Sequence, residues 1–430
     1  MLNFQKLCCY CAVVSFADTG RAAEAPVNLR RLGRLRVLQA LTDAGEHSRA
    51  SLTRRTGLAR ATVSSVIFDL IGEGLVREQA AQTTETKLGR PPLTLSLVPS
   101  AAYVVGVDVA HDHVRTILSD LVGTPIWDVN LDLDVDASAE DALVAATKLI
   151  DRALRETNND RASVLGIGVG IACPVDRRSG QLRAEGIMPG WVGIKPGEEL
   201  AARTGLSAQV INDANACVLA ERRYGAAQTW DDVVYVRLSS GIGAGVVCDG
   251  RMLLGHDGLA GEVGHVTIEP NGAVCRCGNR GCLETIASPT AIAALLSRSW
   301  ARTITSAELF TLVQARDRGA VRALEDAGEA IGRALAMTVM ILNPRLIVVG
   351  GELAVAGDLL LNPMRRVLQR NSVSSHHRQL EISLGALGDT AGVRGAAALA
   401  LAHAPQQLSE RASAHGGSRI QASYRTTPAF

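Results

Sequence analysis

Between Gly261 and Glu284 the chain reads Gly-Glu-Val-Gly-His, nine further residues, then Cys-Arg-Cys-Gly-Asn-Arg-Gly-Cys-Leu-Glu. Cys275, Cys277 and Cys282 fall within eight positions, and His265 stands ten residues upstream of the first. Three thiolates and one neutral imidazole are four ligands of borderline-soft character, the set that a closed tetrahedral Zn2+ takes, one ion per chain. Such a set leaves no open coordination position, so the spacing predicts a structural ion and not a catalytic one. Buried or redox-active thiols are the alternative reading of the same cysteines.

With one nitrogen of His265 on the metal, the other carries a hydrogen that can donate to a ligand hydroxyl. Glu262 and Glu284 flank the cluster as acceptors. Together with Asn212 and Asp213 they form a set that donates and accepts, as each hydroxyl of a polyhydroxylated molecule requires. The plainer reading is of ordinary surface carboxylates.

The net charge is only +1 over 430 residues, but it is unevenly spread. Residues 28–98 carry eleven Lys and Arg against six acids, a basic end on a slightly acidic body. That asymmetry points to nucleic acid and not to a membrane, and no apolar run approaches the roughly eighteen residues that a spanning helix needs. Apolar residues at 32, 35, 37, 38 and 41 predict a helix over 30–44, followed by a short helix over 48–56 that Gly57 ends. A third begins near Ala59, with Val63, Val66, Ile67 and Leu70 on its inner face and Arg60, Thr62, Ser64 and Ser65 on its outer one. Helix, glycine turn and helix make a helix-turn-helix whose second helix enters the major groove of double-stranded DNA. Strands at 75–77 and 93–97 make it winged. Arg90 either reaches a minor groove beside the wing or belongs to a stiff turn made by Pro91 and Pro92. The alternative is a three-helix core with a solvated basic face.

Residues 1–27 read as a disordered or over-extended start; a loose likeness to a secretion signal is set aside because a DNA-reading segment follows directly. Nine cysteines with one compact cluster suit a reducing cytoplasm better than a disulfide framework. Over 101–402 strands and helices mix, which predicts an α/β body. Buried strands are expected at 104–109, 164–171 and 233–238, with the glycines of 164–171 allowing close backbone approach. Gly241, Gly243 and Gly245 are expected in a hairpin turn able to offer N–H groups to a phosphate. The segment 403–430 is Gly-, Ser- and Arg-rich and is expected to be disordered.

The glycine-histidine-cysteine stretch, with Asn212-Asp213-Ala214-Asn215, Gly-Ile-Gly-Ala-Gly at 241–245 and Ile-Val-Val-Gly-Gly-Glu-Leu at 347–353, resembles the signature of the ROK family. That family groups bacterial sugar kinases with winged-helix, sugar-responsive repressors, among them xylose- and N-acetylglucosamine-type repressors. The resemblance spans residues from about 28 to 400 and implies a two-lobed, actin-like (ribonuclease H-like) sugar kinase fold behind the winged helix. It implies His265, Cys275, Cys277 and Cys282 as zinc ligands and Asn212, Asp213, Glu262, His265 and Glu284 as sugar contacts. Kinases of the family open with Asp-x-Gly-Gly-Thr, whereas this chain has Asp108-Val109-Ala110-His111-Asp112. Side chains crowd that turn, and Asp112 sets a negative charge where phosphate would lie. Asp213 matches the kinases' general base. Before Pro189-Gly190-Trp191 the kinases often carry an Asn, and this chain has Ile187. The expected protein is therefore a non-enzymatic repressor of carbohydrate-utilisation genes, a homodimer or homotetramer released from its operator by a sugar; the alternative is a hexose kinase using ATP.

Overall fold

In the computed structural model, which describes residues 25–80, 93–183, 185–371 and 379–423, the chain opens with helices α1 (Ala25–Ala44), α2 (Arg49–Thr56) and α3 (Arg60–Gly72). Ser48 caps α2 by accepting the Ser51 N–H at 3.1 Å, and Gly57 ends it in the left-handed region at φ 70°. Ala59 gives α3 no side-chain cap. Val37, Leu38, Leu41, Leu52, Val63, Val66, Ile67 and Leu70 are buried, as the periodicity predicts. Leu32 is not: it is 48% exposed, and the neighbouring Gly33 faces Leu58 and Thr62 instead. Strands β1 (Val76–Ala80) and β2 (Leu93–Leu97) pair antiparallel with Val76 opposite Leu97, and His47 bridges to Leu95. Arg90 and the wing tip lie outside the described residues.

The body repeats one plan twice. In the first lobe β3 (Tyr103–Val109), β4 (His113–Asp120) and β5 (Pro125–Asp132) form an antiparallel meander; after helix α4 (Ala139–Glu156), β6 (Val164–Ile171) joins β3 in parallel. Helix α5 (Pro196–Thr204) leads to β7 (Ala208–Asn212) at the sheet edge, and helix α6 (Asp213–Tyr224) crosses to the second lobe. There β8 (Val233–Leu238), β9 (Ile242–Cys248) and β10 (Arg251–Met252) form a second meander. After α7 (Glu284–Ala287), α8 (Pro289–Trp300), α9 (Ser306–Gln314) and α10 (Arg318–Leu342), β11 (Leu346–Gly350) pairs in parallel with β8. Helix α11 (Asp358–Asn371) and β12 (Glu381–Leu384) complete it. The orders β5-β4-β3-β6-β7 and β10-β9-β8-β11-β12 are the same arrangement, the duplicated ribonuclease H-like lobes of an actin-like fold.

Helix α12 (Ala391–Ser423) runs through 403–423, where a disordered tail is expected, and residues 424–430 lie outside the described residues. The Gly- and Ser-rich composition begins only after Leu408; before it, an Ala/Leu face lies on β3 and β6. A Cβ on Gly106 would come within 2.8 Å of the Ala397 amide nitrogen, so the strand glycines exist to let this helix in. Further along, Ala400, Leu401, Ala404 and Leu408 are buried in one cluster with Val37, Leu38 and Leu41 of α1. The amino-terminal helices thus share a hydrophobic core with the body.

The glycines at 241–245 differ from expectation as well. Gly243 and Gly245 lie inside β9 and not in a turn, because α6 crosses there: a Cβ on Gly243 would meet that of Ala214 at 3.4 Å.

Candidate metal centre and ligand cleft

The segment from Val263 to Glu284 has little regular structure and is shaped by turns. The Cys275 N–H donates to the Asn279 carbonyl at 2.7 Å, and the Gly278 N–H returns to the Cys275 carbonyl at 2.9 Å, closing a knuckle around Arg276 and Cys277. Gly281, at φ 67°, lies so close to the Glu269 carbonyl that no side chain fits. These turns bring one nitrogen of His265 and the thiols of Cys275, Cys277 and Cys282 within 4.8 Å of one another. His265 Nδ1 lies 3.6 Å from Cys275 Sγ, and Cys277 Sγ lies 3.7 Å from Cys282 Sγ. The four expected ligands therefore converge on one point able to hold a metal ion. The other imidazole nitrogen, Nε2, points away from the thiols to Glu262 Oε2 at 3.9 Å.

Glu284 begins α7 and is buried. Its Oε2 accepts the Ile242 N–H at 3.0 Å, and the Arg276 guanidinium grips both its oxygens, at 2.9 and 3.2 Å. Gly241 lies close beside this pair, where a Cβ would be 3.1 Å from Arg276 Nη2. The N–H of Ile242 is thus spent on a carboxylate and not offered to a phosphate. Glu262 is half-buried, and loss of solvent pushes its carboxyl up to about 7, with the charges of Asp213 and Glu284 adding and Arg276 opposing.

Asn212 and Asp213 sit where β7 turns into α6. Asn212 Oδ1 caps the helix, accepting from the N–H groups of Ala214 at 3.0 Å and Asn215 at 3.3 Å, so only its amide nitrogen is left to meet a ligand. Asp213 takes the Ala214 N–H at 2.7 Å and, on its other oxygen, the Arg237 guanidinium at 2.5 Å. Arg237 comes from β8 and is half-buried; loss of solvent works against its charge, but Asp213 and Asp108 hold it firmly protonated. Asp108 is pushed up by burial despite that guanidinium, and its Oδ1 has no protein partner. The sequence hid both arginines. Arg276 was legible only as the residue between two cysteines, and Arg237 only as a charge inside an otherwise apolar strand.

At the β3–β4 turn Ala110 is buried, His111 Nδ1 bonds to Asp136 at 2.7 Å, and His113 Nδ1 bonds to Asp112 at 2.7 Å. That bond holds the Asp112 carboxyl below the ordinary range. Ile187 packs against the first lobe's core.

The outer face of α3 exposes Arg60, Ser64 and Ser65, with Thr62 half-buried. Arg30 and Arg34 pair with Asp69 and Glu73, and Arg49 pairs with Glu78. Arg54, Arg55 and Arg60, around the helix-helix turn, form no ion pair with another described residue. These three put unpaired positive charge beside the turn, and of them the periodicity singles out Arg60 alone.

A winged helix, two ribonuclease H-like lobes and a knuckle of one histidine and three cysteines beside three carboxylates define a class, and the ROK family profile matches residues 104–403: the chain belongs to the ROK family. It is 29% identical over 389 residues to a putative xylose repressor of Caldicellulosiruptor sp., covering 87% of this chain and 96% of that one. A solved ROK family transcriptional regulator, described as a homolog of the E. coli MLC protein, superposes with a TM-score of 0.76 at 27% identity over 89% of this chain and 99% of that one. A glucokinase of Thermotoga maritima is 33% identical over 310 residues, 96% of its own length but only 69% of this chain. Among the described residues no helix is long and apolar enough to cross a membrane.

Proposed function

We propose that this chain is a cytoplasmic, homo-oligomeric DNA-binding repressor of carbohydrate-utilisation genes, released from its operator when a sugar enters the cleft between the lobes. The observation that carries the reading is the join between DNA-binding helices and cleft. Helix α6 starts at Asn212 and Asp213, and at its far end Arg223 donates to the Thr42 carbonyl of α1 at 2.8 Å. Helix α12 packs on both: Ala400, Leu401, Ala404 and Leu408 share a cluster with α1, and Ala391 shares another with Cys217 and Val218 of α6. A sugar that binds one lobe orientation better than the other would tilt α6 and α12 and with them the winged helix.

In this reading Asn212, Asp213, Glu262, His265 and Glu284 bind the sugar's hydroxyls, and the metal is Zn2+ held by His265, Cys275, Cys277 and Cys282. A tetrahedral ion with Zn–S near 2.3 Å and Zn–N near 2.0–2.1 Å separates two sulfurs by about 3.8 Å and a sulfur from a nitrogen by about 3.6 Å; the distances above fit. The ion's task is to fix the ring of His265 so that Nε2–H faces the cleft. Mobility shift with operator, titrated with sugars and sugar phosphates, tests the whole; a complex that no sugar dissociates would sink the effector role.

The kinase reading is disfavoured by two features. Asp112 is ionised where a nucleotide phosphate would have to approach, and Arg237 neutralises the carboxylate in the position of the base. Coupled-enzyme assays are expected to find no sugar-dependent ADP formation above the no-enzyme rate. For the DNA face, Arg60→Ala is expected to weaken operator binding about tenfold, corresponding to loss of one specific or phosphate contact. Anisotropy titrations at several salt concentrations check this; wild-type affinity would remove α3 from the interface.

A further inference from the structure

Resting on the proposed sugar cleft, we propose that a second cavity beside it holds a second glycosyl ring, so that the effector is a disaccharide or other glycoside and not a free monosaccharide. The cavity has a volume of about 220 Å³ and lies on the seam between the lobes, with Val175 and Val210 from the first and Leu254 and Gly258 from the second. None of Asp213, Glu262, His265 or Glu284 lines it, so it is distinct from the carboxylate cluster. It is smaller than the roughly 300–1,000 Å³ of pockets for drug-sized ligands, which suits one ring and not a longer chain.

Its walls run into the cleft along three separate segments. Val175 follows, two residues on, Cys173, whose thiol feels the charges of Glu262 and Asp213. Asn212 lines the cavity and is joined directly to Asp213. Gly258 lies four residues before Glu262 and packs so tightly on the Val175 carbonyl that a side chain there has no room. A ligand anchored on the carboxylates therefore has one neighbouring space into which a substituent can extend.

The lining matches the chemistry of a sugar ring. Val175, Val210 and Leu254 offer an apolar wall for the C–H face. Asn215, only 2% exposed, is among the residues lining the cavity, and its side-chain oxygen, itself buried, has no hydrogen-bond partner in the protein. A buried acceptor left unpaired is costly, and a ring hydroxyl supplies the missing donor. The charges of the lining balance, Lys195 pairing with Glu198 at 2.8 Å and Arg177, which donates to the Gly255 carbonyl at 3.2 Å, standing beside the carboxylate of Asp176, so the geometry favours a neutral ring over a phosphate or carboxylate.

The test is titration calorimetry on the full-length, metal-loaded chain with xylose against xylobiose, glucose against cellobiose and maltose, and N-acetylglucosamine against its β-1,4 dimer. At least one disaccharide is expected to bind about tenfold or more tightly than its own monosaccharide. Asn215→Ala should cut that advantage about threefold to tenfold, the worth of one hydrogen bond, and Val210→Trp, which fills the cavity, should abolish it; neither should move the monosaccharide Kd by more than about twofold. A monosaccharide that binds and releases operator as well as every dimer overturns the second ring while leaving the cleft reading intact. An advantage that survives both variants also overturns it. Failure of every sugar to bind overturns both.

Discussion

Glu284→Ala is expected to lower the affinity for the effector sugar at least about 100-fold while leaving operator affinity within about twofold of wild type. The carboxylate is 8% exposed, and it is held in place by the Ile242 N–H and by Arg276. In the proposed sugar complex it would accept hydroxyl donors. Hydrogen bonds to a charged group contribute roughly 1.5–3 kcal/mol each, so losing two costs about 3–6 kcal/mol, more than two orders of magnitude in Kd. The change also strands the Arg276 guanidinium beside the cleft, which adds to the loss. Calorimetry with the sugar and anisotropy with the operator separate the two effects. A variant that still responds at wild-type sugar concentrations would place the effector elsewhere.

The second large effect is expected at the knuckle. Cys282→Ser should reduce bound zinc from about one per chain to a small fraction, lower the melting temperature by about 4–6 °C, and abolish the sugar response. Cys282 is fully buried between His265 and Cys277, and its thiol is pushed up to about 12 by burial in the absence of an ion, so a cation is what allows a thiolate there. Structural zinc sites in small peptides are worth roughly 10–16 kcal/mol; a third of that in an already folded body, about 3–5 kcal/mol, set against an unfolding entropy of about 0.9 kcal/mol/K for a chain of this length, lowers the melting point by about 4–6 °C. Elemental analysis and thermal scanning with and without chelator measure it. Full zinc retention in the variant would show that four ligands are not required.

The contrast between what the sequence displayed and what it hid has a simple physical basis. The metal cluster was legible because its ligands are local: Cys275 to Cys282 need only a turn with glycines at 278 and 281 to converge. The amino-terminal helices were legible through a 3.6-residue stripe, although Leu32 broke it where Gly33 let α1 approach α3. Arg237 was not legible, because its ion pair with Asp213 depends on β8 of one lobe meeting the start of α6 at the edge of the other. The same holds for α12: its Ala-rich face means little until Gly106 and Gly168 of the sheet beneath show what it fits against. Reading Gly243 and Gly245 as a phosphate loop failed for the same reason, since a glycine that admits a helix looks in sequence like one that makes a turn. Asn212 was placed correctly at the strand end, but its capping of α6 leaves it half the hydrogen-bonding capacity that its composition offered.

The central claim is that one ligand, in the cleft, controls DNA binding through α6 and α12. It is tested most directly by anisotropy titration of operator DNA, isolated by capture of bound genomic fragments, with increasing sugar, for the wild type and for Arg223→Ala in parallel. The account predicts that sugar weakens operator binding by the wild type at least about tenfold, and that Arg223→Ala binds sugar with unchanged Kd but shows most of that weakening lost. Operator affinity that no sugar alters, or an Arg223→Ala protein released as readily as the wild type, would contradict it.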